Sequence, residues 1–554
     1  MDHADMARDI RELIVDRAAN HGGPFASSLG VVELTLAIME VFDFDKDKIV
    51  FDIGHQYQAY KILTGRRERF HELGVKGGLS RYPDIRESAY DFFTTGHSGT
   101  SVSAALGYAL SDPSVTSLAV VGDGSLTSGQ TFEALNHAGA LQPKNLIVII
   151  NQNGWSIDEN IGALSNGRTM RQFSESLQFK YRGMFDGHDT SLLIEQLKAA
   201  QELEGPVIVH VQTTKGKGYR PAEQDPVKFH HPFFPFDRQT GKTHAIVEDW
   251  HQDGLWLLDS FSSKCAALIS QYPNLYFTSP AYLLGGFQVL AKAYPDRVID
   301  TGISEQHCMT LSTSLGLAGN KVIMSIASFF LPRCYDQIFD LCIQNIPIVV
   351  FICFPGIRPS SCATHQATFD ISALTAIPNM TLLHPKGIDE FLDMLDYGLE
   401  AQRPVFIHGS YEDCMAGDTF PVTYGKAVRL TEGDQLTVVP VGAMFKSAFE
   451  IHDHIDGVEI VNPRFLKPFD FDLLEESVKK TGKLLIIEDG IRRGGVGEGI
   501  LARLQEKSIR CESILMTIPD AFISPGTWEE IFNDTGLTLD KVIAAAERLV
   551  YRKN

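Results

Sequence analysis

Between residues 30 and 42 the apolar side chains fall at Leu34, Ala37, Ile38, Val41 and Phe42. That i, i+3, i+4, i+7, i+8 spacing draws one stripe along a helix, so an amphipathic helix is predicted there. A different pattern follows. Residues 117–121, 146–150 and 206–211 are short apolar runs rich in β-branched side chains, each ending in a loop of Gly, Asn or Thr. Such runs, separated by helical stretches, predict parallel strands of an α/β sheet covered on both faces. From Pro232 to about Asp259 no period is evident and Pro, His, Asp and Trp accumulate, which suits an inter-domain connection. A second α/β alternation carries strand candidates at 298–303, 321–327, 346–354 and 380–383 and runs to about Tyr411. A third starts near Gln435, with candidates at 436–442, 458–463 and 484–490. No short-period repeat is present, so the pattern predicts three α/β units and not a solenoid.

Length supports this division, since 554 residues is several times the usual domain of about 100–200. The composition, 44% hydrophobic and 21% charged, is that of a globular protein and excludes the disordered and fibrous classes. A formal net charge of −20 speaks against a nucleic-acid partner, whose binding needs Lys and Arg to displace counterions. A small anionic substrate needs only local positive charge and stays open. Apolar runs such as 346–354 fall far short of the roughly 20 residues that span a bilayer. The opening MDHADMARDI has no apolar stretch like that of a signal peptide. No membrane association and a cytoplasmic location are therefore expected. The eight cysteines form no C-x-x-C pair and have mostly apolar neighbours, as buried thiols do.

Candidate chemistry concentrates in residues 120–157, VVGDGSLTSGQTFEALNHAGALQPKNLIVIINQNGWSI. Gly122 and Gly124 let the backbone approach an anion closely, while Ser125, Thr127 and the N-terminus of the next helix offer donors to a phosphate. Asp123 and Asn153, thirty residues apart, stand at the ends of two neighbouring strands and present hard oxygen ligands. Mg²⁺ prefers such oxygens, with phosphate and water completing an octahedron. In the second alternation Glu305 follows a short strand and opens an apolar helix within DTGISEQHCMTLSTSLGLAG.

These two segments resemble known patterns. G-D-G with an Asn-rich strand end thirty residues on is similar to the thiamine diphosphate signature, and Glu305 resembles the activating glutamate of transketolase-like enzymes. The resemblance implies Asp123, Asn153 and the Trp155 carbonyl as metal ligands, and a Glu305 that tunes the aminopyrimidine so that it can act as a base. Over nearly the whole chain the sequence resembles the 1-deoxy-D-xylulose 5-phosphate synthase family. Residues 52–66, 96–107, 158–164, 216–230, 303–307, 329–337, 364–370 and 463–470 carry that likeness. It implies an α/β fold of two thiamine diphosphate-binding parallel sheets and a transketolase C-terminal domain. The corresponding boundaries are a diphosphate-binding domain at 1–231, a linker at 232–260, a pyrimidine-binding domain at 261–420 and the C-terminal domain at 421–554, with a homodimer expected. His55, His97, His230 and His365 match active-site histidines, Phe330 an aromatic packed on the aminopyrimidine, and Arg333 an anion-binding arginine. Gly96, Ser98, Ile157 and Lys215 join His55, His97, Gly122, Asp123, Gly124, Ser125 and Asn153 as the implied coenzyme contacts.

Some positions depart from the family's pattern. Pro24 stands where an active-site histidine is expected, with His21 nearby in sequence, and Ala327 replaces a tyrosine. In 353–366, CFPGIRPSSCATHQ, Phe354 replaces an arginine and Ser361 an aspartate; Ser410 stands where a second arginine is expected. Those two arginines form the family's phosphate clamp, a task for charge-assisted bidentate bonds. Arg358 is a new cation in the same loop, and the stretch 164–187 is short for the family. The expected activity is decarboxylation of pyruvate and carboligation to an aldehyde, as in isoprenoid biosynthesis, with an acceptor other than glyceraldehyde 3-phosphate or held differently. Ketol transfer between sugars and a non-catalytic, cofactor-binding homologue are the alternatives.

Overall fold

The computed structural model describes residues 2–165, 167–232, 235–243, 248–358, 362–409 and 420–551, with 248–256 as helix backbone alone. Ser361, Ser410 and Cys414 lie outside the described residues. The chain divides into two compact units, Met1–Glu248 with Thr301–Ser304, and Asp249–Asp300 with Glu305–Asn554.

The first unit is built on five strands, β1 (Lys48–Asp52), β2 (Ser117–Gly122), β3 (Leu146–Gln152), β4 (Lys180–Asp186) and β5 (Val207–Gln212). They form one sheet in the order β1-β2-β3-β5-β4, and every neighbouring pair is parallel. Because side chains alternate along a strand, β2 sends Leu118 and Val120 into one core and Ala119 and Val121 into the other. Helix Val32–Val41, carrying the predicted stripe, packs its Leu34, Ala37 and Ile38 in the first of these cores. Helices Ser101–Ser111 and Gly129–Leu141 supply Val102, Leu106 and Leu135 to the second. Each such side chain fully buried contributes about 1.5–3 kcal/mol.

The second unit holds two sheets. Strands β6 (Leu275–Ser279), β7 (Val298–Asp300), β8 (Lys321–Ala327), β9 (Val349–Cys353), β10 (Thr381–Leu383) and β11 (Val405–His408) are parallel and join β15 (Phe465–Lys467), which pairs antiparallel with β10. The order is β15-β10-β11-β9-β8-β6-β7. The last sheet contains β12 (Val428–Arg429), β13 (Leu436–Val441), β14 (Val458–Asn462), β16 (Lys483–Ile491) and β17 (Glu512–Ile518), in the order β12-β14-β13-β16-β17. One hydrophobic core runs through both layers, from Met324 and Val350 to Val439 and Ile486. Arg464 clips them together: its fully buried guanidinium lies 2.7 Å from Glu390 and donates to the Phe420 and Pro421 carbonyls.

Several elements differ from expectation. The candidate at 298–303 ends at Asp300, since Gly302 turns the chain at φ +70°. The run 346–354 is a strand only over Val349–Cys353, because Pro347 lacks an N–H and Phe354 adopts a left-handed φ of +56°. Helix Glu248–Gln271 crosses the expected linker boundary at 260. Among the described residues no helix is long and apolar enough to cross a membrane. Of the cysteines described, all but the partly exposed Cys511 are buried.

Candidate active site

In a parallel α/β sheet the loops beyond the strands' carboxyl ends are where ligands bind. The first unit gathers its expected site residues on that edge. His55 follows β1, Asp123 follows β2, Asn153 follows β3 and Lys215 follows β5. Asp123 is buried, and its Oδ2 accepts from Gln152 Nε2 at 2.8 Å and from the N–H groups of Asn153 and Gly154 at 2.8 and 2.6 Å. Gly124 N–H binds Oδ1 at 3.0 Å. Burial nevertheless raises the Asp123 pKa to about 6 against those N–H bonds. Asn153 Oδ1 accepts from Trp155 N–H at 2.9 Å, which folds residues 153–155 into one turn over the carboxylate. The residues fit a magnesium ion: Asp123, Asn153 and the Trp155 carbonyl are all oxygen donors, and a cation would relieve the cost of the buried charge. Only one carboxylate belongs to this set, which is consistent with the absence, among the described residues, of a cluster of three His, Cys, Asp or Glu able to hold a metal alone.

Ser125 differs from expectation. Its hydroxyl donates to Asp52 Oδ1 at 2.7 Å and the Thr127 hydroxyl to Gly124 O at 2.8 Å, so both are engaged within the protein. A 3-10 turn, Asp123–Thr127, separates the G-D-G triplet from the helix that starts at Gly129. The reason is Asp52, a fully desolvated carboxylate at the end of β1 that also accepts from Gly99 N–H, Ser101 N–H and Ser101 Oγ. It thereby ties the loop holding Gly96, His97 and Ser98 to the G-D-G turn. Gly99 is required there, because at φ +90° a Cβ would lie 2.5 Å from Ser128 Oγ. The sequence reading missed Asp52, whose signal was a carboxylate closing a strand just before the His55 loop.

Two of the histidines lie face to face. His55 and His230 stack with ring centroids 4.8 Å apart, and Tyr82 meets His55 edge-on at 5.6 Å. His230 is carried there by its neighbour Phe229, packed with Phe25, Tyr219 and Phe236. Burial, then the Lys215 charge, lowers His55 to about 4 and pushes His230 well below the ordinary histidine value. Both rings are therefore neutral at pH 7. Lys215 is itself buried, donates to Ser156 O at 2.7 Å beside Ile157, and is lowered to about 7 by burial despite Asp123 and Asp158.

The second unit presents its own cluster. Glu305 is the first residue of helix Glu305–Leu317 and is buried; its Oε2 has no hydrogen-bond partner among the described residues. Burial raises its pKa although Arg333 Nη1 lies 3.7 Å away. Beyond β8 come Phe329 and Phe330, whose rings meet at 4.6 Å and 77°, and His365 lies 4.9 Å from Phe329 and 6.0 Å from Phe330. His365 Nδ1 is fixed by Thr364 Oγ1 at 3.0 Å and Cys362 Sγ at 3.2 Å.

At the departures, Pro24 is buried, whereas His21 is exposed at the end of helix His3–His21. Ala327 closes β8 and is fully buried. Phe354 is packed edge-on by Tyr282 at 5.6 Å, and the Arg358 guanidinium lies 4.2 Å above its ring and 5.6 Å from the Phe329 ring.

Fold and clusters together define an α/β enzyme of the transketolase-like class: the transketolase pyrimidine-binding domain matches residues 259–412 and the transketolase C-terminal domain residues 425–542. The 1-deoxy-D-xylulose-5-phosphate synthase profile matches residues 1–171 and 166–213. The 1-deoxy-D-xylulose-5-phosphate synthase of Desulfotalea psychrophila is 37% identical over 99% of this chain and 94% of its own length. That of Desulforudis audaxviator is 36% identical over 98% and 94%. Among solved structures, a Campylobacter jejuni transketolase aligns over 98% of both chains at 17% identity, with a TM-score of 0.43. The chain belongs to the 1-deoxy-D-xylulose-5-phosphate synthase family.

Proposed function

We propose that the chain is a thiamine diphosphate- and Mg²⁺-dependent transferase that decarboxylates pyruvate and joins the two-carbon unit to an aldehyde, with an acceptor end rebuilt around Arg358. The observation that carries it is Glu305, a buried carboxyl group at the head of its helix whose Oε2 makes no hydrogen bond among the described residues and has Arg333 Nη1 beside it at 3.7 Å. A buried carboxyl oxygen without a hydrogen bond is costly, and a proton shared with a ring nitrogen of an aminopyrimidine would supply one.

When bound, thiamine diphosphate supplies a nucleophilic carbon and a sink for the electron pair released with CO₂. Asp123, Asn153 and the Trp155 carbonyl hold the metal, while the backbone of Gly96, Ser98, Gly122, Gly124, Ser125 and Ile157, with the Lys215 side chain, receives the diphosphate. Glu305 holds or releases the proton on the pyrimidine nitrogen, and Phe330 packs against that ring. His97 and His365 pass protons to and from substrate oxygens, while His55 and His230, as neutral imidazoles, hydrogen-bond those oxygens without taking up a proton. Arg333 receives the pyruvate carboxylate. Arg358, laid over Phe354, receives the anionic end of the acceptor. Exposed Leu317, Phe339 and Ile343 support an apolar face for a homodimer, and we place the enzyme in the cytoplasm.

CO₂ release from pyruvate by the purified protein should require added thiamine diphosphate and fall at least about a hundredfold in Glu305→Ala. Equal rates in the two proteins would reject the reading.

A further inference from the structure

A line of buried polar side chains crosses the two layers of the second unit without touching the groups assigned above to substrate. His408, at the end of β11, is 1% exposed and its Nε2 lies 3.0 Å from Asp370 Oδ2. Its Nδ1 lies 3.1 Å from Nδ1 of His384, which is fully buried. His384 Nε2 in turn is 3.2 Å from the Gly442 carbonyl, and its Nδ1 is 3.1 Å from the His408 carbonyl. Asp370 Oδ2 also accepts from Ser328 Oγ at 2.6 Å, and its Oδ1 accepts from Ile371 N–H at 2.7 Å.

Proton counting decides the charge of this pair. Carboxylate and carbonyl oxygens only accept, so the contacts of His408 Nε2 to Asp370, of His384 Nε2 to Gly442 and of His384 Nδ1 to the His408 carbonyl each need an N–H from imidazole. The nitrogen-to-nitrogen contact needs one proton between its two atoms, since two lone pairs or two N–H groups would repel. Three protons on four ring nitrogens make one imidazolium shared by two rings. With only two protons, a lone pair must face an oxygen or another lone pair in a dry interior.

We propose that His384 and His408 form a singly charged imidazole pair that neutralises Asp370 and so positions Ser328, the joint from which Phe329 and Phe330 depart. Ser328 is suited to this: its N–H donates to Cys353 O at 2.8 Å and its carbonyl accepts from Leu331 N–H at 3.2 Å, so its side chain alone is left to Asp370. The carbonyl contacts of His384 put the shared proton on its Nδ1, while the surrounding carboxylates favour positive charge at His408, so the charge belongs to the pair and not to one ring. Burial opposes it, but Asp370 from helix Asp370–Thr375 and Asp489 and Glu488 from β16 outweigh burial and raise His408 above its ordinary value. Burial and His408 together lower His384 to about 3. Asp489 packs against Gly356 and Gly442 so closely that no Cβ fits at either; burial raises it to about 6 and Glu488 to about 7. The pair titrates as a unit. Its proton stabilises the fold fully below the ordinary histidine value of about 6.5, and that stability is lost as pH rises through the pair's own, higher value.

His384 and His408 are thus positioning residues, and their effect on coenzyme binding rests on the function proposed above. In thiamine-free protein labelled with ¹⁵N-histidine, signals assigned by their loss in His384→Gln and His408→Gln should report three protonated ring nitrogens at pH 7 and two after an alkaline transition. Two protonated nitrogens at pH 7 would overturn the charged pair. His408→Gln should raise the KM for thiamine diphosphate about tenfold with a smaller change in kcat, and abolish the alkaline rise in KM. His408→Arg, a fixed cation with donors to spare, should restore affinity and leave KM flat with pH. Unchanged KM and profile in His408→Gln would overturn the positioning role. Should the variants fail to fold, the unaltered protein still decides it: the nitrogen signals and KM must share one midpoint, and separate midpoints overturn the link. A protein that binds no thiamine diphosphate at all would instead overturn the underlying functional reading, while the nitrogen signals still judge the pair.

Discussion

The Arg358 guanidinium lies 4.2 Å from the centre of the Phe354 ring, and a guanidinium, unlike a lysine ammonium, can pair with a planar anion through two parallel N–H groups. Phe354 holds this platform in a left-handed backbone conformation, rare for a bulky side chain and costing about 1–3 kcal/mol, a strain found where a site needs it. Arg358→Ala should therefore raise the KM for an anionic aldehyde about 10–100-fold and leave a neutral aldehyde within about twofold, read by steady-state comparison of the two. An equal loss on both would make the arginine a packing residue. At this scale the residues legible in the sequence, Asp123, Asn153 and Glu305, announce themselves through near neighbours: glycines beside a carboxylate, an acid at the start of a helix. Asp52, His384 and His408 do not, because every partner that gives them meaning is remote in the chain. Asp52 meets residues 99, 101 and 125, and His384 meets 408 and 442.

Strand ends do most of the positioning. In the first unit four loops reach the same edge because β1, β2, β3 and β5 are parallel neighbours, and Asp52 locks two of those loops together. Asp52→Asn would turn an acceptor of several N–H and O–H bonds into a group that presents its own N–H to them. It should cost about 1–3 kcal/mol of stability by denaturant titration and weaken thiamine diphosphate binding in calorimetry, with Gly122 to Gly124 otherwise unaltered in sequence. Unchanged coenzyme affinity would show that the loops hold their places without it. The buried strands β2, β3, β5, β8 and β13 were legible as continuous apolar runs. Edge strand β4 was not: none of its residues is fully buried, so they show neither an apolar run nor an alternation. Strand β1 was hidden by its brevity, with three apolar residues between Lys48 and Asp52. The terminus of the strand expected at 298–303 was set by a glycine turn that periodicity cannot register.

For the whole molecule, the metal site proposed at the buried Asp123 would couple metal binding to pH. Its folded-state pKa of about 6 lies above the usual carboxylate value, so without metal its contribution favours folding when protonated and is lost as pH rises through 6. Above that point a cation recovers what the buried charge costs. Mg²⁺ with thiamine diphosphate should accordingly raise Tm more at pH 7.5 than at pH 5.5, and Asp123→Asn should erase the difference; chelation should reverse the gain. Equal increments at both pH values would remove Asp123 from the metal site. The amino-acid sequence by itself determined the α/β class, the three alternations, the residues that could bear a metal and a diphosphate, and the family, since these depend on local pattern and on short spacings. Only the tertiary structure decided that the second and third alternations share one core, that Ser125 serves Asp52, that Arg358 rests on Phe354, and that two histidines must share a proton. Such facts are set by distances across the fold and by the loss of water around charged groups, and neither is written in the order of residues along a chain.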